Sequence, residues 1–420
     1  MIQCARKLKQ LPPYLFTRIK ALTAQAYAKK LDVIDLGMGN PDVPTPPHVV
    51  ERLMDTVNNH PRTHRYPQAK GMPRFRKAVV KHMERRFGVG LDPDSEVLAL
   101  VGSKEGIAHL CAAYLNPGDV ALVPVPAYPV HFNGVILAGG KVQPVPLRPE
   151  NGYLPDYGKI PRRVLERAKL IFLNYPNNPT AAVVEDLAFF KETVRFAKKN
   201  DLLVAYDNPY CEITFDGYKA PSFLETPGAR DVALEFHSFS KTYNMAGWRM
   251  GWVCGKKELL APLEKFKSFV DYGVPTFLQL AGAAALEGSQ ECVKQTVEVY
   301  RRRRDYFVNE LNRMGWAVPM PKATMYVWAP LPEPFRAMGS LAFAEKLVLE
   351  TGIAVAPGVG FGQQGEGYVR FALVTHDNRF YDAALRIKKF FRKHGALPAR
   401  PAAAREERRP RPRPVEAETR

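Results

Sequence analysis

The chain has little cysteine and no long apolar run. Its five cysteines, Cys4, Cys111, Cys211, Cys254 and Cys292, are odd in number, scattered over 420 residues and never spaced as CxxC. That argues against a disulfide framework and against a zinc site. The nine histidines include no HExxH motif. His60 and His64 are four apart, but Pro61 and Pro67 beside them do not favour a helix. No metal site is expected. No stretch reaches the roughly 18 apolar residues of a membrane span. The opening "MIQCARKLKQLPPYLF" carries charges without the continuous apolar core of a secretory signal. The expectation is a cytoplasmic protein with no membrane partner.

What the chain has in excess is positive charge, a formal net of +18. Such an excess can serve nucleic acid or an acidic surface. No RNP, zinc-finger or helix-turn-helix signature accompanies it, so no nucleic-acid partner is expected. Part of the excess lies in "RPAAAREERRPRPRPVEAETR", with seven arginines against four acids. Its Pro- and Arg-rich composition predicts disorder over residues 397–420. The rest reads as a basic surface that attracts anionic metabolites.

At 420 residues, 46% of them hydrophobic, the chain is long for one core, and two domains are expected. There is no internal repeat. From about Glu96 to Gly255, β-rich runs such as "VLALVG", "VALVPVP", "KLIFLNYP", "LLVAYD" and "VALEFHS" alternate with helix-like stretches. This alternation predicts an α/β fold whose mostly parallel sheet is covered by helices on both faces. After Gly255 long helices dominate, notably "TVEVYRRRRDYFVNELNRMG", followed by the strand-like "MYVWAPL", "GIAVAPG" and "YVRFALV". That predicts a smaller α+β domain. The expected division is an N-terminal arm and part of the small domain over residues 1–47, a large domain over 48–293 and the small domain over 294–396. The segment "KLKQLPPYLFTRIKAL" has little periodicity and reads as an arm that docks elsewhere.

In a doubly wound sheet, ligands bind beyond the carboxyl ends of the strands. That rule selects four places. "VLALVG" leads into Ser103 and Lys104 at a helix start, where backbone N–H groups suit an anion. "KLIFLNYP" leads into Asn174–Thr180, which includes the amide Asn178. "LLVAYD" ends at Asp207, with Tyr210 three residues on, and "VALEFHS" ends at Ser238, with Ser240 and Lys241 following. Each has an ordinary explanation alone: a helix start, a turn, a solvated carboxylate, a surface lysine. Together they are an anion cradle, an amide, an acid with a phenol, and an amine with hydroxyls. The motif Gly360-Phe361-Gly362-Gln363-Gln364-Gly365 matches GxGxxG, but it runs into "YVRFALV" rather than a helix, so it reads as a loop between strands.

Pyridoxal phosphate needs this combination. Its aldehyde condenses with a lysine amine, its ring nitrogen wants a carboxylate, and its phosphate wants N–H groups, hydroxyls and an arginine. With that chemistry in view, "SFSKTYNMAGWRMG" resembles the lysine signature of the class I/II aminotransferases of pyridoxal-phosphate fold type I. The similarity extends from Leu11 to about Phe391. It implies that Lys241 carries the cofactor and moves the substrate's α-proton, and that Ser238 and Arg249, at the family's spacings, bind the phosphate. It further implies that Asn178 and Tyr210 share the ring hydroxyl oxygen, that Asp207 faces the ring nitrogen and that Tyr128 in "PAYPVH" lies against the ring. Tyr66 in "RYPQAKG" is implied to reach a partner subunit's phosphate, hence a homodimer. Arg370 in "YVRFAL" is implied to hold the substrate carboxylate, with Gly39 in "GMGNPD" contacting substrate. The chain departs from the family in Ala181, where glycine often follows "NPT", and in Asn208-Pro209 beside the ring.

Stretches such as "LGMGNPDVPTPPHVVE" and "PGVGFGQQGEGYVRFAL" are most similar to bacterial alanine (glutamate–pyruvate) aminotransferases and nearly as similar to LL-diaminopimelate aminotransferases. The implied reaction is L-alanine with 2-oxoglutarate giving pyruvate and L-glutamate. The alternatives are LL-diaminopimelate or aspartate as donor, a pyridoxal-phosphate C–S β-lyase, and a cofactor-bearing regulator. Only a short arm precedes Leu31 here, which argues against the regulator.

Overall fold

The computed structural model describes residues 2–12 and 15–396; the segment expected to be disordered, 397–420, lies outside the described residues. In chain order the strands are β1 (Ile34–Asp35), β2 (Val97–Leu100), β3 (Val120–Val125), β4 (Lys141–Pro146), β5 (Ala168–Leu173), β6 (Leu203–Asp207), β7 (Ala233–Ser238), β8 (Gly251–Gly255), β9 (Tyr326–Pro330), β10 (Ile353–Ala354), β11 (Ala356–Pro357) and β12 (Tyr368–Ala372). The main sheet has seven strands in the order β2-β8-β7-β6-β5-β3-β4. It is α/β and mostly parallel as expected; β8 alone among its described strands runs against its neighbours, β2 and β7.

Both faces of this sheet are buried, and the pleat divides them. Val97, Ala99, Leu122, Ile171, Val204 and Tyr206 point into one core, shared with the helices Pro73–Phe87, Ala188–Lys199 and Thr276–Glu287. Leu98, Leu100, Ala121, Val123, Leu170, Phe172 and Ala205 point into the other, beneath the helices Ser103–Tyr114 and Lys257–Val270. Alternate residues apolar on both faces is what a sheet sandwiched between helices requires. Helix Ala188–Lys199 illustrates the local logic: it buries Phe189, Phe190, Val194 and Ala197 on one stripe and ends in Lys198 and Lys199, which suit the negative end of its dipole. Phe190 packs edge-on against Tyr206 and Phe223, so truncating it to alanine costs about 3–5 kcal/mol.

A second core surrounds the three-stranded sheet β11-β12-β9 and takes in Tyr300, Phe307, Leu311, Phe343, Leu347, Ile387 and Phe391. The run "GIAVAPG" does not form one strand. It splits at Val355, so that β10 pairs parallel with β1 while β11 pairs with β12. The N-terminal segment also differs from expectation: Leu15–Ala28 is a helix, packed against the helix Gly339–Thr351 and tied to it by an Arg18–Glu345 ion pair of 2.5 Å. His60 precedes and His64 ends a single 3-10 turn, Pro61–His64. The GxGxxG stretch forms two 3-10 turns between β11 and β12. Among the described residues no helix is long and apolar enough to cross a membrane.

Candidate active site

The selected strand ends meet on one rim. β2 passes through Gly102 into the helix Ser103–Tyr114, β6 stops at Asp207, and β7 passes through Ser238 into the short helix Phe239–Thr242, which carries Lys241. Because β8 runs the other way, its start at Gly251 puts Arg249 on the same rim. These residues, with Tyr128, Asn178 and Tyr210, line a cavity of about 440 Å³. The second sheet closes it with Tyr326 and Arg370, and the N-terminal part adds Lys20, Met38, Gly39 and Asn40. Of the site residues read from the sequence, only Tyr66 is elsewhere. It is 91% exposed, its ring edge-on to Tyr272 at 5.7 Å. A wider groove of about 1100 Å³, along Tyr153–Asp156, Ala181–Asp186 and Pro319–Lys322, gathers no comparable set of amine, acid and anion cradle.

Lys241 is the amine. Its Nζ donates to the Gly39 carbonyl at 2.5 Å. Burial pushes its pKa below the ordinary lysine value; the charges of Arg370 and Arg249 add to that, and Tyr326 opposes it. A lysine so placed is uncharged, and nucleophilic, at lower pH than a surface lysine. Gly39 can have no side chain, because a Cβ there would run into the Tyr326 hydroxyl.

The anion cradle lies at the start of helix Ser103–Tyr114. Gly102 has φ +79, and a Cβ on it would strike the Arg249 guanidinium, so glycine serves both the turn and the close approach. Arg249 Nη1 is steadied by the Ala246 carbonyl at 2.8 Å. Ser238 Oγ accepts from the Ser240 N–H at 3.2 Å. Free N–H groups at a helix start, an arginine and a hydroxyl form a phosphate site. Beneath it, Glu105 accepts from the Val101 N–H at 2.9 Å and pairs with the buried Lys267 at 3.2 Å, which anchors the turn.

Asp207 is 4% exposed, and only one of its carboxylate oxygens is used. Oδ2 accepts from His131 Nε2 at 3.1 Å, and Oδ1 has no partner among the described residues. His131 is held by stacking on Phe172, centroids 5.3 Å apart and planes 13° apart. An acceptor left open in a buried site costs about 1–3 kcal/mol unless a donor arrives from a ligand. Asn178 is a junction: its amide donates to the Tyr210 hydroxyl at 3.1 Å and accepts from Arg370 Nη1 at 2.6 Å. Arg370 also donates to the Gly37 carbonyl at 2.9 Å, with its guanidinium 4.1 Å from the Tyr326 ring centre and 4.7 Å from that of Phe361. Burial, and Tyr326 beside it at 3.3 Å, push the Tyr210 phenol up.

His131, Tyr326 and Lys20 escaped the sequence reading, and Asn174 entered it only as the start of the Asn174–Thr180 stretch. His131 lies one helical turn after Tyr128 in "PAYPVH", which is the only signal it gives. Asn174 supports the rim by donating to the Asp207 carbonyl at 2.7 Å. Tyr326 sits in "MYVWAPL", where an aromatic reads as sheet core. Ala181 has φ +58, left-handed backbone that glycine adopts without strain. Asn208 turns its side chain away from the rim, to the buried Glu235 at 3.0 Å.

Residues 31–386 match the family model for aminotransferase class I and II. The chain belongs to this family. It is 49% identical over 388 residues to an LL-diaminopimelate aminotransferase of Moorella thermoacetica, spanning 92% of this chain and 98% of that protein. It is 48% identical over 393 residues to the glutamate-pyruvate aminotransferase AlaC of Escherichia coli, spanning 94% and 95%. Among solved structures, substrate-bound BacF from Bacillus subtilis matches with a TM-score of 0.88 at 38% identity, over 93% of this chain and 98% of that one. The chain is therefore an aminotransferase of pyridoxal-phosphate fold type I, with pyridoxal 5'-phosphate as its cofactor. The cavity fits that group: a cradle for its phosphate, an open carboxylate oxygen for a ring N–H, a phenol and an amide for a ring oxygen, and one amine of lowered pKa.

Proposed function

We propose that the enzyme transfers the amino group of L-alanine to 2-oxoglutarate, giving pyruvate and L-glutamate, as a cytoplasmic homodimer. The observation that carries this reading is the charge of the cavity. Asp207 is the sole carboxylate among its described lining residues, and His131 and the cofactor ring account for it. No carboxylate is left there to pair with the second ammonium of a diamino substrate, whereas the two carboxylates of glutamate meet Arg370 and Lys20. AlaC, at 48% identity, supports the same choice; the relative from Moorella thermoacetica, at 49%, favours LL-diaminopimelate as the second reading.

Bound cofactor supplies an aldehyde for the amino group and a protonated ring that draws off the electron pair left by the departing α-proton. In this reading Lys241 would hold the cofactor through Nζ, and the same amine would take the α-proton. Its lowered pKa suits that task. Asp207, oriented by His131, would keep the ring nitrogen protonated, while Asn178 and Tyr210 would hold the ring oxygen and Tyr128 would cover the ring face. Ser103, Lys104, Ser238 and Arg249 hold the phosphate end. Arg370, with Asn178 and Gly39 beside it, fixes the substrate α-carboxylate so that the α-proton faces Lys241. The exposed cluster of Tyr66, Phe269, Val270 and Tyr272 supports a second copy as its cover, with Tyr66 reaching the other subunit's phosphate.

Rapid mixing of the holoenzyme with alanine, glutamate, aspartate and LL-diaminopimelate tests the donor. Alanine and glutamate should bleach the cofactor absorbance quickly; bleaching by LL-diaminopimelate alone would overturn the proposal.

A further inference from the structure

We infer that Lys20 binds the distal carboxylate of the dicarboxylic substrates, glutamate and 2-oxoglutarate. This rests on the proposed acceptor chemistry and sharpens it to one residue. The cavity lining brings together the cations Lys20, Lys104, Lys241, Arg249 and Arg370 against the single carboxylate of Asp207. Four of the cations have partners. Arg249 lies over the helix start at Gly102, and Lys104 has its ammonium 5.9 Å from the Tyr128 ring centre. Lys241 rests on the Gly39 carbonyl, and Arg370 is held by Asn178 and Gly37. Lys20 is the remainder: an exposed ammonium with no hydrogen bond or ion pair to any described residue.

Its position is fixed although its head is free. Lys20 stands on the helix Leu15–Ala28, and its neighbours secure that turn: Arg18 pairs with Glu345, and Ile19 is 6% exposed in the second core. An unpaired ammonium at the cavity mouth gains a charge-assisted contact when an anion comes within reach, and a second carboxylate on the substrate is that anion. With Arg370 committed to the α-carboxylate, Lys20 is the lining cation left for the other end. Its flexible four-carbon stem suits an enzyme that alternates between a methyl side chain and a dianion. For alanine the head stays in water, and for glutamate it turns in. The same charge opposes a distal ammonium.

The test uses the holoenzyme with Lys20→Met and Lys20→Arg. Lys20→Met should raise KM for 2-oxoglutarate and glutamate about tenfold more than KM for pyruvate and alanine, the size of one charge-assisted contact. Calorimetry should record weaker binding of glutarate but not of butyrate, and Lys20→Arg should restore most of both. A uniform KM change across the four substrates, or none, would overturn the assignment. If the wild-type enzyme uses neither glutamate nor 2-oxoglutarate, the proposed reaction falls. Lys20 is then judged by glutarate alone, and equal binding to wild type and Lys20→Met rejects it.

Discussion

Arg303 sets its two terminal nitrogens on the Asp42 carboxylate, at 2.7 and 2.8 Å, and its Nε on Asp377 at 2.9 Å. Asp42 lies three residues after Gly39, whose carbonyl receives the Lys241 amine. A buried arginine of the long helix Glu291–Arg313 thus ties down the segment on which Lys241 rests. Arg303→Met should lower unfolding free energy by about 2 kcal/mol, since Asp42 keeps some access to water. It should also reduce kcat more than it raises KM for alanine. Arg303→Lys should rescue little, because lysine has no fork to match a carboxylate. Steady-state kinetics and urea denaturation check both.

Lys241 should react as a lysine of lowered pKa. In protein stripped of cofactor, its acylation by limiting acetic anhydride should reach midpoint below the ordinary lysine value of 10.5. Peptide mass spectrometry across the pH range reads this directly. A midpoint equal to that of the exposed lysines would contradict the burial argument. In the holoenzyme, borohydride should fix the cofactor on the Lys241 peptide.

His131→Phe removes the one donor to the Asp207 carboxylate among the described residues while keeping a ring that stacks on Phe172. Its expected effect is about tenfold weaker cofactor binding, the worth of one hydrogen bond to a buried charge. Cofactor titration by absorbance measures it. An unchanged dissociation constant would show that Asp207 is positioned by its backbone alone.

Acid should weaken the fold through His82. Burial, with the nearby His237 charge, pushes its pKa down to about 3 from 6.5. Between those values the unfolded chain binds a proton that the folded chain refuses, so stability falls as pH falls through that window. From pH 7 to pH 5 the loss attributable to this residue is about 2 kcal/mol. His82→Leu should flatten the dependence, read as the difference in slope between wild type and variant in denaturant titrations.

Much of the fold was legible because apolar runs and strand-end residues are local. The runs ending near Asn174, at Asp207 and at Ser238 are parallel strands of one sheet, and their ends supply the rim. Strand direction is not written in an apolar run, so nothing announced that β8 is antiparallel, although that reversal is what brings Arg249 to the rim. "GIAVAPG" gave no sign of dividing between two sheets, since both halves are equally buried. Tyr326 was hidden for a related reason: its neighbours Val327 and Ala329 are core, and only the approach of Gly39 marks it as lining the cavity. The Leu15–Ala28 helix was missed because tertiary packing, more than its own weak amphipathic pattern, sustains it.

Arg370 and Gly37 touch across 333 residues of chain. During synthesis the main sheet, the lysine and the phosphate cradle all leave the ribosome well before the arginine that completes the pocket. The strand ends that build the rim can therefore assemble on a partly made chain, whereas closure of the cavity waits for the last described strand. A truncation or premature stop shortly before Arg370 would yield a polypeptide that holds the cradle residues and the Lys241 amine yet lacks the arginine that closes the cavity over them.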